Sequence, residues 1–376
     1  MNSSVDIHEV NSRRNRKLFF RFPIELYRDH PYYVPPLLKN EKRILHPGYN
    51  PAYEFCETMQ WLAFRDGKIA GRICGIINAK YNSLTQKKQA RFSWFDTVND
   101  QVVADSLLMT VENWAKSKGM KQLYGPYGFT SFDKHGVLVD GFDELATSSS
   151  NYNYGYYADL IQNAGFIKDI DWVEYEIPVP ETVPEKMSKI AEIVGDRYGL
   201  KIARIISKKD LLKYKQSVFD LLNHEYSGLK GFVPLSERQI EMFVNNFFGF
   251  LDPDFVCIIL DNRNEIAGFG ISAPSISRAL QKCKGKLFPF GFWWLLRVFK
   301  RNDTIDLLLI AIKSELHNKG VNALLFNHLI PNYQKRGIKK VETTQNQEDN
   351  NQVQSQWKYF NARLHKRSRA YIKHFD

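Results

Sequence analysis

The chain has 376 residues, 44% of them hydrophobic and 25% charged, which suits about two globular domains and excludes a disordered or fibrous protein. Its 52 basic and 41 acidic residues leave a net charge of +11, a balance that fits a polyanionic partner, whether nucleic acid, an anionic membrane surface or a phosphorylated carrier. Cys56, Cys74, Cys257 and Cys283 lie far apart, with no His/Cys cluster at ligand spacing, so reduced cysteines in a cytoplasmic protein and no metal are expected.

The N-terminus has no apolar stretch of the signal-peptide kind, and no run reaches the roughly 18 apolar residues of a membrane span. Residues 5–10 read as a strand and 13–27 as a helix interrupted at Pro23. The prolines of DHPYYVPPLLKNEKRILHP predict an irregular surface wrap. Strands follow at 60–65 and 68–77, joined by Asp66-Gly67, a strong hairpin signal. ARFSWFDTV reads as a further strand, and Val103, Leu107, Val111 and Trp114 mark a helix that ends near Gly119. KQLYGPYGF is strand-like, NYNYGYYADLIQNAGF reads as a helix ending at Gly165, and DWVEYEI as a strand.

The proline-rich run 178–186 predicts a linker, dividing the chain into 1–180 and 181–376. Beyond it the order of elements repeats: a helix at 186–198, the strand LKIARII, the helical run KKDLLKYKQSVFDLLNHEY and a hairpin over 255–271. Ile69-Ala70-Gly71 and Ile266-Ala267-Gly268 hold equivalent hairpin positions, so two copies of one α/β fold are expected. Between the hairpin and the next strand lies LFPFGFWWLLRVFKR, aromatic and flanked by cations. It suits a membrane interface over 284–301, the wall of an acyl-chain tunnel, or a buried helix pair.

The most informative stretch comes next. Apolar residues run from Ile305 to Ile312 as a buried strand does, and His317, Asn318, Lys319 and Gly320 form a polar turn. Val321, Leu324, Leu325, His328 and Leu329 then recur on one helix face. Such a turn presents backbone N–H groups at the positive end of a helix, where a phosphate or pyrophosphate is favoured. The strand KKVETT and a last helix from about Asn351 complete the chain.

The run from His317 to Asn322 resembles the Gln/Arg-x-x-Gly-x-Gly/Ala motif with which the GNAT acetyltransferase superfamily binds the pyrophosphate of coenzyme A. Gly320 fits strictly, while His317 and Asn322 depart from the pattern. More closely, the chain resembles bacterial tandem-GNAT N-acyltransferases related to ceramide synthases. The runs that carry this are FPIELYRDHPYYVPPL from Phe22, GKIAGRICGI from Gly67, GPYGFTS and GVLVDGF from Gly125 and Gly136, YNYGYY from Tyr152, GFVPL from Gly231, and Glu348-Asp349-Asn350 with Lys366, Arg369 and Tyr371.

The resemblance implies two tandem GNAT-like α/β domains, each a mixed, mostly antiparallel sheet flanked by helices, and transfer of an acyl group from an acyl-CoA thioester to an amine acceptor. At the position matching the pyrophosphate turn the first copy has Thr97 to Gln101, without glycine and with Asp100, so the second copy is expected to hold coenzyme A. Ile312, Lys313, His317, Asn318, Lys319, Gly320, Val321, Asn322 and Asn350 are the residues expected to hold it, an amide near Ile312 or Lys313 meeting the oxyanion. Glu348 and, second, Glu342 are the candidate bases. The tyrosine that many relatives use to protonate the leaving thiolate falls on Trp357, leaving Tyr359 two places out of register.

For the acceptor pocket the candidates are Tyr152, Asn153, Tyr156 and Tyr157, with Asn223 and Glu225 facing the thioester. The alternative is a helix start packed on the core for the first four and exposed helix positions for the others. A long acyl chain and a lipidic amine such as a sphingoid base fit the kinship and the aromatic segment. Two other classes stay open: a non-catalytic lipid- or partner-binding GNAT module, and an aminoacyl-tRNA-dependent transferase, although no long helical arm for tRNA is evident and nucleic acid is not the expected partner.

Overall fold

The computed structural model describes residues 4–375. Its strands are β1 Val5–Glu9, β2 Cys56–Arg65, β3 Lys68–Asn78, β4 Gln89–Thr97, β5 Gln122–Gly125, β6 Val137–Asp140, β7 Ile167–Pro178, β8 Lys201–Ile202, β9 Val256–Leu260, β10 Ile266–Pro274, β11 Thr304–Ile312, β12 Lys340–Thr343, β13 Asn346–Gln347 and β14 Arg363–His374. They fall into two compact units. The first takes residues up to Val173, Ser277–Trp294 and residues from Lys366 on; the second takes Glu174–Ile276 and Leu295–His365. Residues 174–180 thus belong to the second unit, and two pieces of the later sequence belong to the first.

In the first unit the strand order is β1-β2-β3-β4-β5-β14, with β6 paired to β14. In the second it is β7-β12-β11-β10-β9-β8. Each unit contains a parallel pair, β4 with β5 and β11 with β12, and between the members of each pair runs a helix, Gln101–Ser117 or Asn322–Lys335. The repeated order read from the sequence is therefore a repeated α/β topology.

Helix and sheet meet closely in the first unit. The helix Gln101–Ser117 buries Val103, Leu107, Val111 and Trp114, a 3.6-period stripe. Gly71 and Gly75 of β3 lie under it, where a Cβ would come within 2.6 Å of Leu107 and 2.7 Å of Trp114. Gly71 and Gly75 of GKIAGRICGI are thus a packing requirement. In the second unit the helix Asn322–Lys335 buries Leu325, Phe326, Leu329, Ile330 and Tyr333 in the main cluster.

Several sequence expectations change. The first helix, Arg13–Leu26, runs through Pro23 without interruption. Pro23 cannot donate to Phe19 O, and the Arg72 guanidinium does so instead at 2.9 Å while also binding Asp96 at 2.7 Å. The proline-rich wrap contains a short helix, Leu38–Ile44. The helix expected from residue 151 starts at Tyr156, and an unanticipated helix, Glu237–Phe247, opens on a capping box of Ser236 and Gln239. The expected last helix shrinks to Asn351–Gln354 and a 3-10 turn, and the chain ends in β14.

β14 falls in the stretch read from the sequence as part of a last helix, and its registers with β5 and β6 place it inside the first unit's sheet. Asp171 on β7, its side chain 1% exposed, receives Arg369 at 2.7 and 3.0 Å and Arg367 at 3.2 Å, with Lys168 at 3.1 Å. Burial alone would push this carboxyl up, but the Arg369 and Lys168 contacts outweigh it and hold it below the ordinary range. The folded value thus lies under the unfolded value of about 3.9, so this stabilisation is complete above that pH and is lost as pH falls through the folded value. We expect Asp171→Asn to cost about 3 kcal/mol in chemical denaturation at neutral pH, with the difference from wild type shrinking as pH falls below the unfolded value of about 3.9.

Candidate functional site: the parted strands of the second unit

β11 and β12 run in parallel register from Thr304 and Lys340 to Leu307 and Thr343, and there the pairing stops. Thr344 makes the last links, its amide to Leu307 O at 3.2 Å and its hydroxyl to Leu308 O at 3.3 Å. β11 continues to Ile312, held on its other edge by β10. The register with β10 shifts at this point, Ser272 facing Leu307 but Ile271 facing Leu309, so Leu308 bulges out of the strand.

The Lys313 amide donates to Ala267 O at 2.9 Å, which fixes the alternation: residues 311 and 313 turn towards β10, while Ile310 and Ile312 turn their backbone groups towards the opening. Lys313 is therefore corrected as an oxyanion donor. Side chains cover both carbonyls. The Tyr226 hydroxyl donates to Ile310 O at 3.1 Å, and His317 Nε2 lies 2.8 Å from Ile312 O. The amides of Ile310 and Ile312 are left as donors that face the opening.

The turn after β11 carries a second set of donors. The helix Asn322–Lys335 starts at Asn322 with no side-chain cap, and among the described residues the amides of Asn318, Gly320, Val321 and Asn322 meet no acceptor. Asn318 has φ 59° and Gly320 φ 79°, both in the left-handed region. A Cβ on Gly320 would also come within 3.0 Å of Ile190.

Charged side chains surround the turn. Lys319 places its ammonium over the Tyr198 ring at 5.1 Å, and Lys313 reaches Asp261 and Glu265 at 3.7 and 3.8 Å. Glu225 is buried at the start of the turn, where the Ser314 amide and hydroxyl donate to it at 3.0 and 2.7 Å, and it lies 3.5 Å from His317. Burial pushes the Glu225 carboxyl up, but the donors from Ser314 and His224 more than reverse this and hold it below the ordinary carboxylate value. The carboxylate is thus kept ionised, its oxygens taken up by donors of the protein.

The first unit parts its strands in the same way and then closes the gap. β4 pairs with β5 only from Gln89 to Arg91, and β4 bulges near Trp94, whose φ is 46°. Beyond the bulge, Tyr157 accepts from the Thr97 amide at 3.0 Å and Tyr156 donates to Thr97 O at 2.8 Å. Asp100 accepts the Val102 and Val103 amides at 3.0 and 3.4 Å and is paired with Arg65. A helix start capped by its own carboxylate has no room for a phosphate.

These bonds correct the acceptor-pocket expectation. Besides Tyr156 and Tyr157, Tyr152 donates to Phe142 O at 2.7 Å, and Asn153 clamps both backbone groups of Leu138 at 2.7 and 3.0 Å. All four act as packing and bonding groups of the first unit. Asn223 is likewise engaged, tying both backbone groups of Leu235 at 3.1 and 2.8 Å.

Of the candidate bases, Glu342 is buried on β12 one residue before the strands part, paired with Lys340 at 3.1 Å. Glu348 is half-buried in the loop after β13, its main-chain oxygen held by Gln354 at 3.0 Å. Asn350 caps the short helix that follows, accepting from the Val353 amide at 3.3 Å. Tyr359 is 66% exposed beneath Lys186, whereas Trp357 is 2% exposed and packs on Phe326. Tyr359 is therefore corrected as a proton donor. Sequence reading missed Tyr226 and the buried Asp306, the register partner of Glu342. Asp306 had a signal, being the single carboxylate inside an otherwise apolar strand.

No protein-family model matches the chain. It is 25% identical over 369 residues to Protein YghO of Escherichia coli, a similarity covering 96% of this chain and 93% of that protein. It is 26% identical over 304 residues to the bacterial ceramide synthase of Caulobacter vibrioides, covering 79% of this chain and 78% of that one. Among solved structures it superposes with TM-score 0.57 and 11% identity on a tandem GNAT protein from the clavulanic acid biosynthesis pathway, covering 99% of this chain and 98% of that chain. A GCN5-related glucosamine N-acetyltransferase region from a fungal multi-domain protein gives TM-score 0.57 at 12% identity, covering 99% of this chain and 38% of that one. The chain thus has the fold of a tandem GNAT protein. It is homologous over most of its length to a protein named bacterial ceramide synthase.

Gly320→Ala tests the turn directly. It places a Cβ at a left-handed φ and against Ile190, and should cost about 1–2 kcal/mol in chemical denaturation, while Gly228→Ala, in open space, should be nearly neutral.

Proposed function

We propose that the chain is a GNAT-type N-acyltransferase that uses an acyl-CoA, of long chain, to acylate a lipidic amine met at an anionic bilayer. The observation that carries this reading is the opening between β11 and β12, into which the amides of Ile310 and Ile312 face. Coenzyme A would supply the acyl group activated as a thioester. The amides of Gly320, Val321 and Asn322 suit its diphosphate, with the Lys319 ammonium beside them. The Ile312 amide, and Ile310 behind it, would donate to the thioester carbonyl as negative charge grows on its oxygen.

An amine attacks only when neutral, so the chain must accept a proton nearby. Glu348 is the first candidate and Glu342, already held by Lys340, the second. With Trp357 packed in the core and Tyr359 on the surface, the hydroxyl at the opening is that of Tyr226. Burial pushes its phenol up to about 12, which keeps it protonated and able to donate. The relative named ceramide synthase supports the lipidic acceptor. A non-catalytic binding module is the second reading, favoured by Asn350 and Trp357 both being engaged in structural roles.

Two measurements decide between them. Calorimetric titration with coenzyme A should show one site per chain, weakened at least tenfold by Gly320→Val and unaffected by substitutions of Thr97, while no saturable binding would overturn the reading. Turnover should be faster with palmitoyl-CoA and a sphingoid base than with acetyl-CoA and a polyamine. In that assay Glu348→Gln should lower kcat about 100-fold or more at unchanged coenzyme affinity. Binding without turnover of any amine would leave the non-catalytic module.

A further inference from the structure

The segment between β10 and β11 is anchored at its base and bare at its tip. Gln281 donates to Pro31 O and Tyr33 O at 2.8 and 3.0 Å, and the Leu38 amide donates to Gly285 O at 3.1 Å. Gly285, at φ 69°, sits so close that a Cβ would lie 2.3 Å from Pro36 O. From this fixed base the rings of Phe288, Phe290 and Trp293 project 80%, 72% and 61% exposed. The helix Gly291–Lys300 that follows is mostly apolar, yet Gly291 is its one buried residue. Three large rings held in water on a tethered loop mark an interaction surface.

Its charge is one-sided. Lys282, Lys284 and Lys286 precede the rings and Arg297, Lys300 and Arg301 follow them, with no Asp or Glu between Gln281 and Asn302. Among the described residues none of these six cations meets a carboxylate, and Lys282 instead lies 4.4 Å over the Trp294 ring. A symmetric contact with a second copy would press this basic patch on itself, and like charges disfavour it. The helix spans only ten residues, and no helix among the described residues is long and apolar enough to cross a membrane.

We infer that Lys282–Trp294 is a docking surface for the anionic face of a lipid bilayer, with Phe288, Phe290 and Trp293 entering the headgroup and acyl boundary and Lys282, Lys284 and Lys286 meeting lipid phosphates. The inference rests on the lipidic-substrate reading for its purpose, since an acyl thioester of long chain and a lipidic amine both reside at that boundary. Its test requires no turnover, so the two can fail separately.

Co-sedimentation with vesicles of phosphatidylcholine alone, and of phosphatidylcholine with phosphatidylglycerol, tests it. The wild-type chain should pellet with the mixed vesicles, weakly with the neutral ones, and less as salt rises. Phe288→Ser with Phe290→Ser and Trp293→Ser should reduce binding at least tenfold, and so should Lys284→Glu with Lys286→Glu, which touches only exposed positions and serves if the first variant fails to fold. Wild-type protein left in the supernatant with both vesicle types would overturn the proposal. So would an apolar variant that binds as well as wild type, a dimer that the variant dissolves while vesicle binding persists, or preference for a single-stranded oligonucleotide over the mixed vesicles.

Discussion

A β-strand that outruns its partner leaves a row of backbone donors and acceptors that something must satisfy. β11 does this beyond Leu307, and the surrounding structure answers selectively. The carbonyls of Ile310 and Ile312 are met by Tyr226 and His317, but their amides turn to the opening. The result is a slot with donor character, continuous along the chain with the unpaired amides of the following turn. The bulge at Leu308 belongs to the same device, because one extra residue on β11 bends the strand where it must part from β12.

The first unit shows what happens when the same topology is closed. It has the parallel pair, the bulge and the following helix, yet Tyr156, Tyr157 and Asp100 take up the groups that stay open in the second unit. Tyr27 donates to Tyr157 at 2.6 Å, and burial drives both phenols well up, so both stay neutral while the Tyr157 oxygen accepts from Tyr27 and from the Thr97 amide. Of the two copies of the topology, the second keeps unpaired amides at its turn, and the first has the matching groups engaged by side chains. Within the second unit β7 supplies Glu176 and Ile177 to pair with β12, and within the first β14 supplies Tyr371 and Ile372 to pair with β5.

Much of this was legible where local chemistry dominates. The apolar run 305–312, the Asp66-Gly67 hairpin and the periodic Val103 to Trp114 stripe each state their structure within a few residues, and Gly320 marked a turn. Asp100 was legible as an acid opening a helix, and it caps that helix in the structure. What stayed hidden depends on distant partners. β14 is a charged segment that becomes a strand because Asp171, some 198 residues earlier, gathers Arg369, and because Lys366 finds Leu145 O. The tyrosines of YNYGYY look like a pocket until Thr97 and Phe142 O are seen to engage them. Tyr226 had no local signal at all, since its role is set by a carbonyl 84 residues away.

The account turns on which backbone amides remain available to a carrier thioester. Residue-resolved hydrogen exchange with and without saturating coenzyme A measures this directly. The account predicts added protection at Ile310, Ile312 and Gly320 to Asn322, with no change over residues 97–103. Protection at 97–103 instead, or none in either unit at saturation, would contradict it.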